Sequence, residues 1–498
     1  MLHVFTLLTR YDIIILRRRN KITDQIITKT GLYDHQRQAV EKLKRLKIGA
    51  LYLEMGTGKT RTAIELIAQR YNAGKVNHIL WLCPCAVRTT IGIELKKHID
   101  GDISMFSVYG IESLSSSDRL YLRLLDMAQK YKLFLVVDES NLVKNPRAIR
   151  TERITEIAKL CQYKLILNGT PISRCEADLF AQWYILDWRI LGYQSYWSFA
   201  ANHLEYDKHI PGKIRRVLDV DYLVKKISPY AFQVKKSECL DLPEKTYGMW
   251  DFYMTDEQLL EYDRAKSWYL AELDEMKPET IYKLFTALQH VAAGRYVLTR
   301  PDQRMRTEPM FKDPRDNPRI ETLLSILSQM HKHKSIIWCR YTHEIKDVSK
   351  VLREEYGDDS VVEFYGEISK KNREINAKKF SEDATYFVAN KTCAGYGLNL
   401  QFCNSMIFYS NDWDWATRSQ AEDRIHRIGQ TGSVSIIDIY ADGTIDRRIL
   451  SCLQRKENLV DWFRKEIANK QKKEIGRWLG GKDWIERKGK ANSNRKIS

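Results

Sequence analysis

Short, nearly uninterrupted apolar runs alternate with stretches of helical period twice along this chain, and no other feature constrains its fold as tightly. The first set is Ala50 to Leu53, Ile79 to Cys83, Leu133 to Val137 and Lys164 to Leu167. The second is Ser335 to Cys339, Val361 to Tyr365, Thr385 to Val388, Met406 to Tyr409 and Val434 to Tyr440. A strand that is apolar throughout must be covered on both faces, the condition of a parallel sheet flanked by helices. This predicts an α/β fold with two doubly wound parallel-sheet lobes. A length of 498 residues exceeds one ordinary core and suits that division.

Between the two sets, from about Asp187 to Pro318, the pattern changes. The stretch is aromatic-rich, helical in period around Gln258 to Glu275, and punctuated by Pro211, Pro229, Pro243, Pro278, Pro301, Pro309, Pro314 and Pro318. It reads as a helical insertion with a hinge. The expected division is an N-terminal segment over 1–30 and a first lobe over 31–240, with its helical protrusion from about 187. A second lobe follows over 241–456, its protrusion running to about 318, and then a basic C-terminal tail over 457–498.

The net charge of +17 and a pI near 9.2 favour a polyanionic partner. From Arg464 onward the chain carries twelve Lys or Arg against four Asp or Glu, with Trp478 and Trp484 among them. Such a stretch suits either a DNA grip or a solvated basic end. Nine cysteines without a Cys-x-x-Cys pair fit neither a zinc site nor a disulfide framework, and point to a reducing compartment. The apolar stretch from Leu2 to Leu16 is broken by Arg10 and Asp12, and its basic cluster Arg17 to Arg19 follows it, the reverse of a signal peptide. No run approaches the roughly 18 apolar residues of a membrane span, so an intracellular, cytoplasmic location is expected.

The run Leu51-Tyr52-Leu53-Glu54-Met55-Gly56-Thr57-Gly58-Lys59-Thr60 reads as a strand entering a glycine loop and then a helix over Arg61 to Arg70. Backbone amides at Gly56, Thr57 and Gly58 and the helix N-terminus can cradle phosphates. Lys59 can reach the β and γ phosphates, and the Thr60 hydroxyl can bind Mg. The usual pattern has glycine at position 53, where this chain has Leu53. A second element stands at Leu133 to Glu139, a buried strand that delivers two carboxylates at its C-terminal end. Asp138 can hold the Mg ion and Glu139 can orient and activate water. Alone, an acidic pair after a strand better suits a helix N-cap.

Gln420 to Gln430 contains Arg424 and Arg427, spaced three apart and so predicted on one helix face, from which they can reach a γ-phosphate. They lie about 365 residues from Lys59, so closure of the lobes is expected to complete the site.

In this order, these segments resemble the SWI/SNF-type ATPases of helicase superfamily 2. Leu32-Tyr33-Asp34-His35-Gln36 is similar to that family's adenine-sensing segment, which implies Gln36 as the adenine contact. Cys83-Pro84 resembles its first nucleic-acid motif, and Asp138-Glu139-Ser140-Asn141 with Lys144-Asn145 its Asp-Glu-Ala-His box and Lys-Asn pair. The box histidine is absent, and Asn141 stands in its place. Asn168-Gly169-Thr170-Pro171, followed by Asp178-Leu179-Phe180, resembles the segment coupling hydrolysis to DNA. Leu242-Pro243-Glu244-Lys245 resembles the inter-lobe linker, with Gln233 and Val234 where paired arginines are usual. Thr392 to Leu400 resembles the fifth motif, and Asp412-Trp413 with Gln420 to Gln430 the last.

The resemblance spans about Gly31 to Lys456 and is nearest to compact phage and bacterial members. It implies RecA-like lobes, and ATP and Mg as ligands. It implies Gly397 and Gln420 as further nucleotide contacts, and Pro84, Thr170, Thr392 and Asn399 as nucleic-acid or coupling residues. The implied partner is double-stranded DNA held mainly by its phosphate backbone, with DNA-bound proteins as further candidates. The implied activity is ATP-driven translocation on duplex DNA in a bacterial or phage-infected cell. Two rivals stand beside it: a strand-separating DNA or RNA helicase, and a nucleotide-gated DNA clamp without turnover.

Overall fold

The computed structural model describes residues 25–169, 176–207, 214–271, 278–299, 304–330, 333–394, 398–456, 459, 462–463 and 472–482. The chain divides into two compact units, Met1–Asp241 and Leu242–Ser498. Among the described residues no helix is long and apolar enough to cross a membrane.

The first unit is built on six strands: β1 (Ile48–Leu53), β2 (His78–Cys83), β3 (Phe106–Gly110), β4 (Leu133–Asp138), β5 (Tyr163–Asn168) and β6 (Ala231–Val234). They lie in the order β6-β1-β5-β4-β2-β3, and every pairing is parallel. The continuous apolar runs are sorted by the pleat. Ala50, Tyr52, Leu80, Leu82, Leu133, Leu135 and Val137 enter one core, and Leu51, Leu53, Ile79, Trp81, Phe134 and Val136 the other. Both faces are therefore dry, as the sequence demanded. Flanking helices include α1 (Asp34–Leu43), α2 (Lys59–Asn72) and α3 (Leu179–Leu191), and the unit's last helix is the short α4 (Lys236–Cys239).

The second unit repeats the plan with β7 (Lys245–Phe252), β8 (Ser335–Cys339), β9 (Val361–Phe364), β10 (Tyr386–Asn390), β11 (Ser405–Phe408) and β12 (Val434–Ala441). Their order is β7-β12-β11-β8-β10-β9, again parallel throughout. Ile337, Cys339, Val388, Ile407 and Ile439 face one core, and Ile336, Trp338, Phe387, Met406 and Phe408 the other. Its helices include α5 (Asp256–Ala271), α6 (Pro278–Ala292), α7 (Pro318–Gln329), α8 (Trp415–Glu422), α9 (Ile445–Arg455) and α10 (Lys472–Leu479).

Two stretches differ from their expected form. Asp187 to Pro318 is helical for much of its length and divided between the units, but it also gives each sheet an edge strand, β6 and β7. The basic C-terminal stretch is in part core: Leu459, Phe463, Ile475, Trp478 and Leu479 are buried in the second unit. Tyr262 Oη on α5 donates to the Leu479 carbonyl at 2.8 Å and accepts the Ile445 N–H at 2.9 Å, joining α5, α9 and α10.

A buried ion pair closes this unit. Arg319, 2% exposed, donates to Asp446 and, at 3.1 Å, to the Tyr409 carbonyl, between the rings of Phe252 and Tyr409. Asp446→Ala leaves that guanidinium without its counter-charge and should lower the unit's stability by about 3–5 kcal/mol. Urea denaturation of the variant should show an earlier midpoint for the second unit; an unmoved midpoint would contradict the assignment.

Candidate functional site

In the first unit the chain leaves β1 at Leu53, passes through Glu54 to Gly58 and enters α2 at Lys59. The loop needs left-handed backbone twice, at Gly56 (φ 81°) and Gly58 (φ 86°), which glycine adopts without strain. A Cβ on Gly58 would stand 2.2 Å from Gln36 Nε2, so that amide would have to leave its place against the loop. Leu53, where the usual pattern has glycine, is fully buried in the core, and its backbone is not left-handed.

Carbonyl oxygens repel phosphate, and in this loop protein donors engage four of them. Lys59 Nζ donates to the Leu53 carbonyl at 3.2 Å, Thr57 Oγ1 to Glu54 at 2.7 Å, Gln36 Nε2 to Thr57 at 3.1 Å, and Thr62 Oγ1 to Gly58 at 3.2 Å. His35 Nε2 also lies 2.8 Å from the Thr57 carbonyl. Gln36, expected at adenine, is buried, and its Oε1 accepts the Tyr33 N–H at 3.0 Å. Both ends of its amide thus bind protein, and α1 braces the loop.

Asp138 ends β4, separated from β1 only by β5, so three neighbouring strand ends converge. A Cβ on Gly169, just past β5, would lie 3.6 Å from Lys59 Nζ. The Asp138 carboxyl is pushed up to about 7, first by burial and then by the Glu139 charge, and the Lys59 ammonium opposes this. Glu139 has left-handed backbone, φ 49° and ψ 57°, and donates its N–H to Asp138 Oδ1 at 2.9 Å. Its side chain makes no capping bond to the short helix Ser140–Val143, so the pair does not act as an N-cap. Two carboxylates beside one ammonium lack positive charge. Asp138 and the half-buried Thr60 supply hard oxygens, and the residues present fit a magnesium ion.

Behind the acidic pair, buried Ser140 donates from Oγ to Gln182 Oε1 at 2.5 Å, and Gln182 Nε2 donates to the Asp178 carbonyl at 2.9 Å. Lys144 Nζ pairs with Asp178 Oδ2 at 3.3 Å. Gln182 was missed in the sequence; a lone amide within the apolar helix α3 was its only signal. Asn141 Oδ1 and Asn168 Nδ2 are both buried without a hydrogen-bond partner. Pro84 is buried after β2, at the cap of the short helix Cys85–Val87. Thr170 and Gly397 lie outside the described residues, as does the Thr392 side chain, whose backbone belongs to the short helix Lys391–Ala394.

In the second unit, Gln420 is half-buried on α8. The expectation that Arg424 and Arg427 share a helix face is corrected: α8 ends at Glu422, and both arginines stand in the turns beyond it. Gln430 holds those turns, donating from Nε2 to the Ile425 and Cys403 carbonyls and accepting at Oε1 the N–H groups of Thr431 and Gly432. Arg424 is buried, and Arg427 Nη1 donates to Asn399 Oδ1 at 2.6 Å, bringing together two residues of the expected set. Buried Arg418 anchors α8: it donates to Asp438 Oδ1 and Oδ2 at 2.6 and 3.0 Å and to Glu422 Oε1 at 2.9 Å, its guanidinium 3.4 Å from the Phe408 ring centre. Lys245 Nζ then meets Glu422 Oε2 at 2.9 Å. In sequence, Arg418 and Glu422 look like any exposed i,i+4 pair.

Two protein families match parts of the chain: "Type III restriction enzyme, res subunit" over residues 29–100, and "Helicase conserved C-terminal domain" over residues 318–429. An uncharacterized ATP-dependent helicase of Mycoplasma genitalium is 26% identical over 460 residues, covering 86% of this chain and 42% of the relative. A SWI/SNF chromatin-remodeling complex subunit of Schizosaccharomyces pombe is 25% identical over 345 residues, covering 65% of this chain and 20% of the relative. The chain thus spans less than half the length of these curated relatives. Among solved structures, the SWI2/SNF2 ATPase core of Sulfolobus solfataricus in complex with dsDNA is similar at 21% identity and a TM-score of 0.39, covering 91% of this chain and 98% of its own. With the two family matches in this order on one chain, and with these relatives, the chain is similar to the SWI/SNF-type helicase-like ATPases of superfamily 2.

Proposed function

We propose that this chain is an ATP-hydrolysing motor that translocates on double-stranded DNA and remodels DNA or protein–DNA complexes. The observation that carries the reading is the Lys59 ammonium, in a loop whose carbonyls are engaged, beside the buried Asp138 and its neighbour Glu139. Lys59 and the amides of Gly56, Thr57 and Gly58 bind the β and γ phosphates. Thr60 and Asp138 hold magnesium, which supplies positive charge to the phosphates when bound. Glu139 orients the attacking water and accepts its proton as the new bond to the γ-phosphorus forms and the bridging oxygen leaves.

Arg424 and Arg427 stabilise the charge that develops on the transferred group, so hydrolysis draws on both units. Gln36 braces the phosphate loop and contacts adenine through what remains of its donor capacity, while Gly397 and Gln420 add nucleotide contacts from the second unit. Pro84, Thr170, Thr392 and Asn399 contact nucleic acid or couple it to the ATP site. The net charge of +17 suits a backbone-held duplex.

Hydrolysis by the wild type should rise strongly with duplex DNA, and Glu139→Gln should abolish it while nucleotide binding persists. Arg427→Ala should lower kcat by roughly 10³-fold or more. Stimulation by single strands or RNA alone, measured in the same assay, would make the strand-separating helicase the better reading. No turnover together with ATP-dependent DNA binding would favour the clamp.

Duplex affinity should be indifferent to base sequence and should fall by roughly 10³-fold or more as salt rises from about 50 to 200 mM. Fluorescence anisotropy across a salt series tests this; a flat profile removes the backbone-held duplex from the reading.

A further inference from the structure

Glu54, the first residue of the phosphate loop, is fixed at three points. Its N–H donates to the Val234 carbonyl at 3.2 Å, carrying the β1–β6 ladder one step beyond the Leu53–Val234 pair. Its carbonyl accepts from Thr57 Oγ1 at 2.7 Å, inside the loop. Its carboxylate accepts at Oε2 the backbone N–H of Lys236 at 2.7 Å. Lys236 is buried and opens α4, and Asp241, five residues on, is the last residue of the first unit.

The carboxylate is an unexpected choice for this position. Placing an anion in a loop suited to phosphate opposes binding, and a neutral acceptor could take the same N–H at lower electrostatic cost. What the charge adds is strength, since a hydrogen bond to a carboxylate is roughly twice as strong as a neutral one. The phosphate cradle itself, Gly56 to Thr60, does not include Glu54. Leu53, immediately before it, lends its carbonyl to Lys59 Nζ. When that ammonium turns to a phosphate, the change falls on the peptide that joins Leu53 to Glu54.

We propose that Glu54 is a positioning residue: through the Lys236 N–H it carries the state of the phosphate loop to residues 235–241, which lead into the second unit, and so couples nucleotide binding to DNA-stimulated turnover. The inference rests on the ATP-driven reading above.

The bond can be deleted from its far end. Lys236 is the first residue of α4, a position where proline is accepted, and Lys235 before it has φ −88° and ψ 153°, the extended backbone that a following proline requires. Lys236→Pro removes the N–H, and Lys236→Ala controls for the lost side chain. In the full chain, ATP hydrolysis is measured over a range of ATP with and without duplex DNA, and energy transfer between a dye on each unit reports the response to ATP.

Relative to Lys236→Ala, Lys236→Pro should keep its KM for ATP and its DNA-free rate. It should lose about tenfold in duplex-stimulated kcat, with a blunted energy-transfer response. Combining it with Glu54→Ala should cost no more than either change alone, because both remove the same bond. Should the proline variant not fold, Glu54→Gln must lower the ratio of duplex-stimulated to basal rate, and an unchanged ratio overturns the proposal. Equal stimulated rates in the proline and alanine variants overturn it, as do additive losses in the double variant or a raised KM as the sole effect. A wild type without duplex stimulation instead overturns the reading on which it rests.

Discussion

The central strands of both sheets are dry on both faces, and the rest of the molecule follows from that. With Leu51, Leu53 and Val136 packed on one side and Ala50, Tyr52 and Val137 on the other, no polar side chain can leave the middle of the first sheet without stranding itself in hydrocarbon. Chemistry is confined to the strand ends. Parallel pairing puts all the C-terminal ends on one edge, so Lys59 after β1, Gly169 after β5 and Asp138 at the end of β4 meet as a consequence of topology.

The same dryness sets the electrostatics at that edge. Burial holds the Asp138 carboxyl near 7, far above an exposed aspartate, and the adjoining Glu139 adds to the shift. Glu139 is one of three non-glycine residues with left-handed backbone among those described, a conformation that costs of order 1–3 kcal/mol and tends to persist where a side chain must be aimed. Solvent-exposed carboxylates would need neither arrangement. The second unit solves a related problem in reverse: Arg418 is a buried cation whose bonds to Asp438 and Glu422 fix α8, so the turns carrying Arg424 and Arg427 leave from a rigid base.

Most of this was legible in the sequence, for a physical reason. Central strands are apolar on both faces and wrote themselves as runs, whereas β3, β6 and β7 gave no such signal, and all three are sheet edges. In β7, exposed Thr246, Tyr247 and Met249 break the pattern. Residues whose chemistry depends on loop spacing, such as Lys59 and Asp138, could be named from one dimension. Those whose role depends on what they touch could not: Gln182, Arg418 and Glu54 became visible only through their partners. The helical placement of Arg424 and Arg427 failed because spacing of three is equally available to a turn, and here Gln430 folds one.

Two departures at the first unit's site, Leu53 in the phosphate loop and Asn141 in the acidic box, are not equivalent. Leu53 is absorbed: its side chain fills the core, its backbone needs no glycine, and the left-handed positions fall instead at Gly56 and Gly58. The loop therefore keeps its left-handed turns without a glycine at position 53. Asn141 is not absorbed in the same way. Its buried Oδ1 lacks a donor, while the buried Asn168 Nδ2, one residue past the Asp138–Leu167 register, lacks an acceptor. Each such group costs about 1–3 kcal/mol, and a fold keeps that cost where another state of the site satisfies it. An acceptor after β4 and a donor at the end of β5 are complementary, so the missing histidine and the unpaired amides belong to one question. What the fold leaves unabsorbed therefore lies at Asn141 and Asn168, not at the phosphate loop.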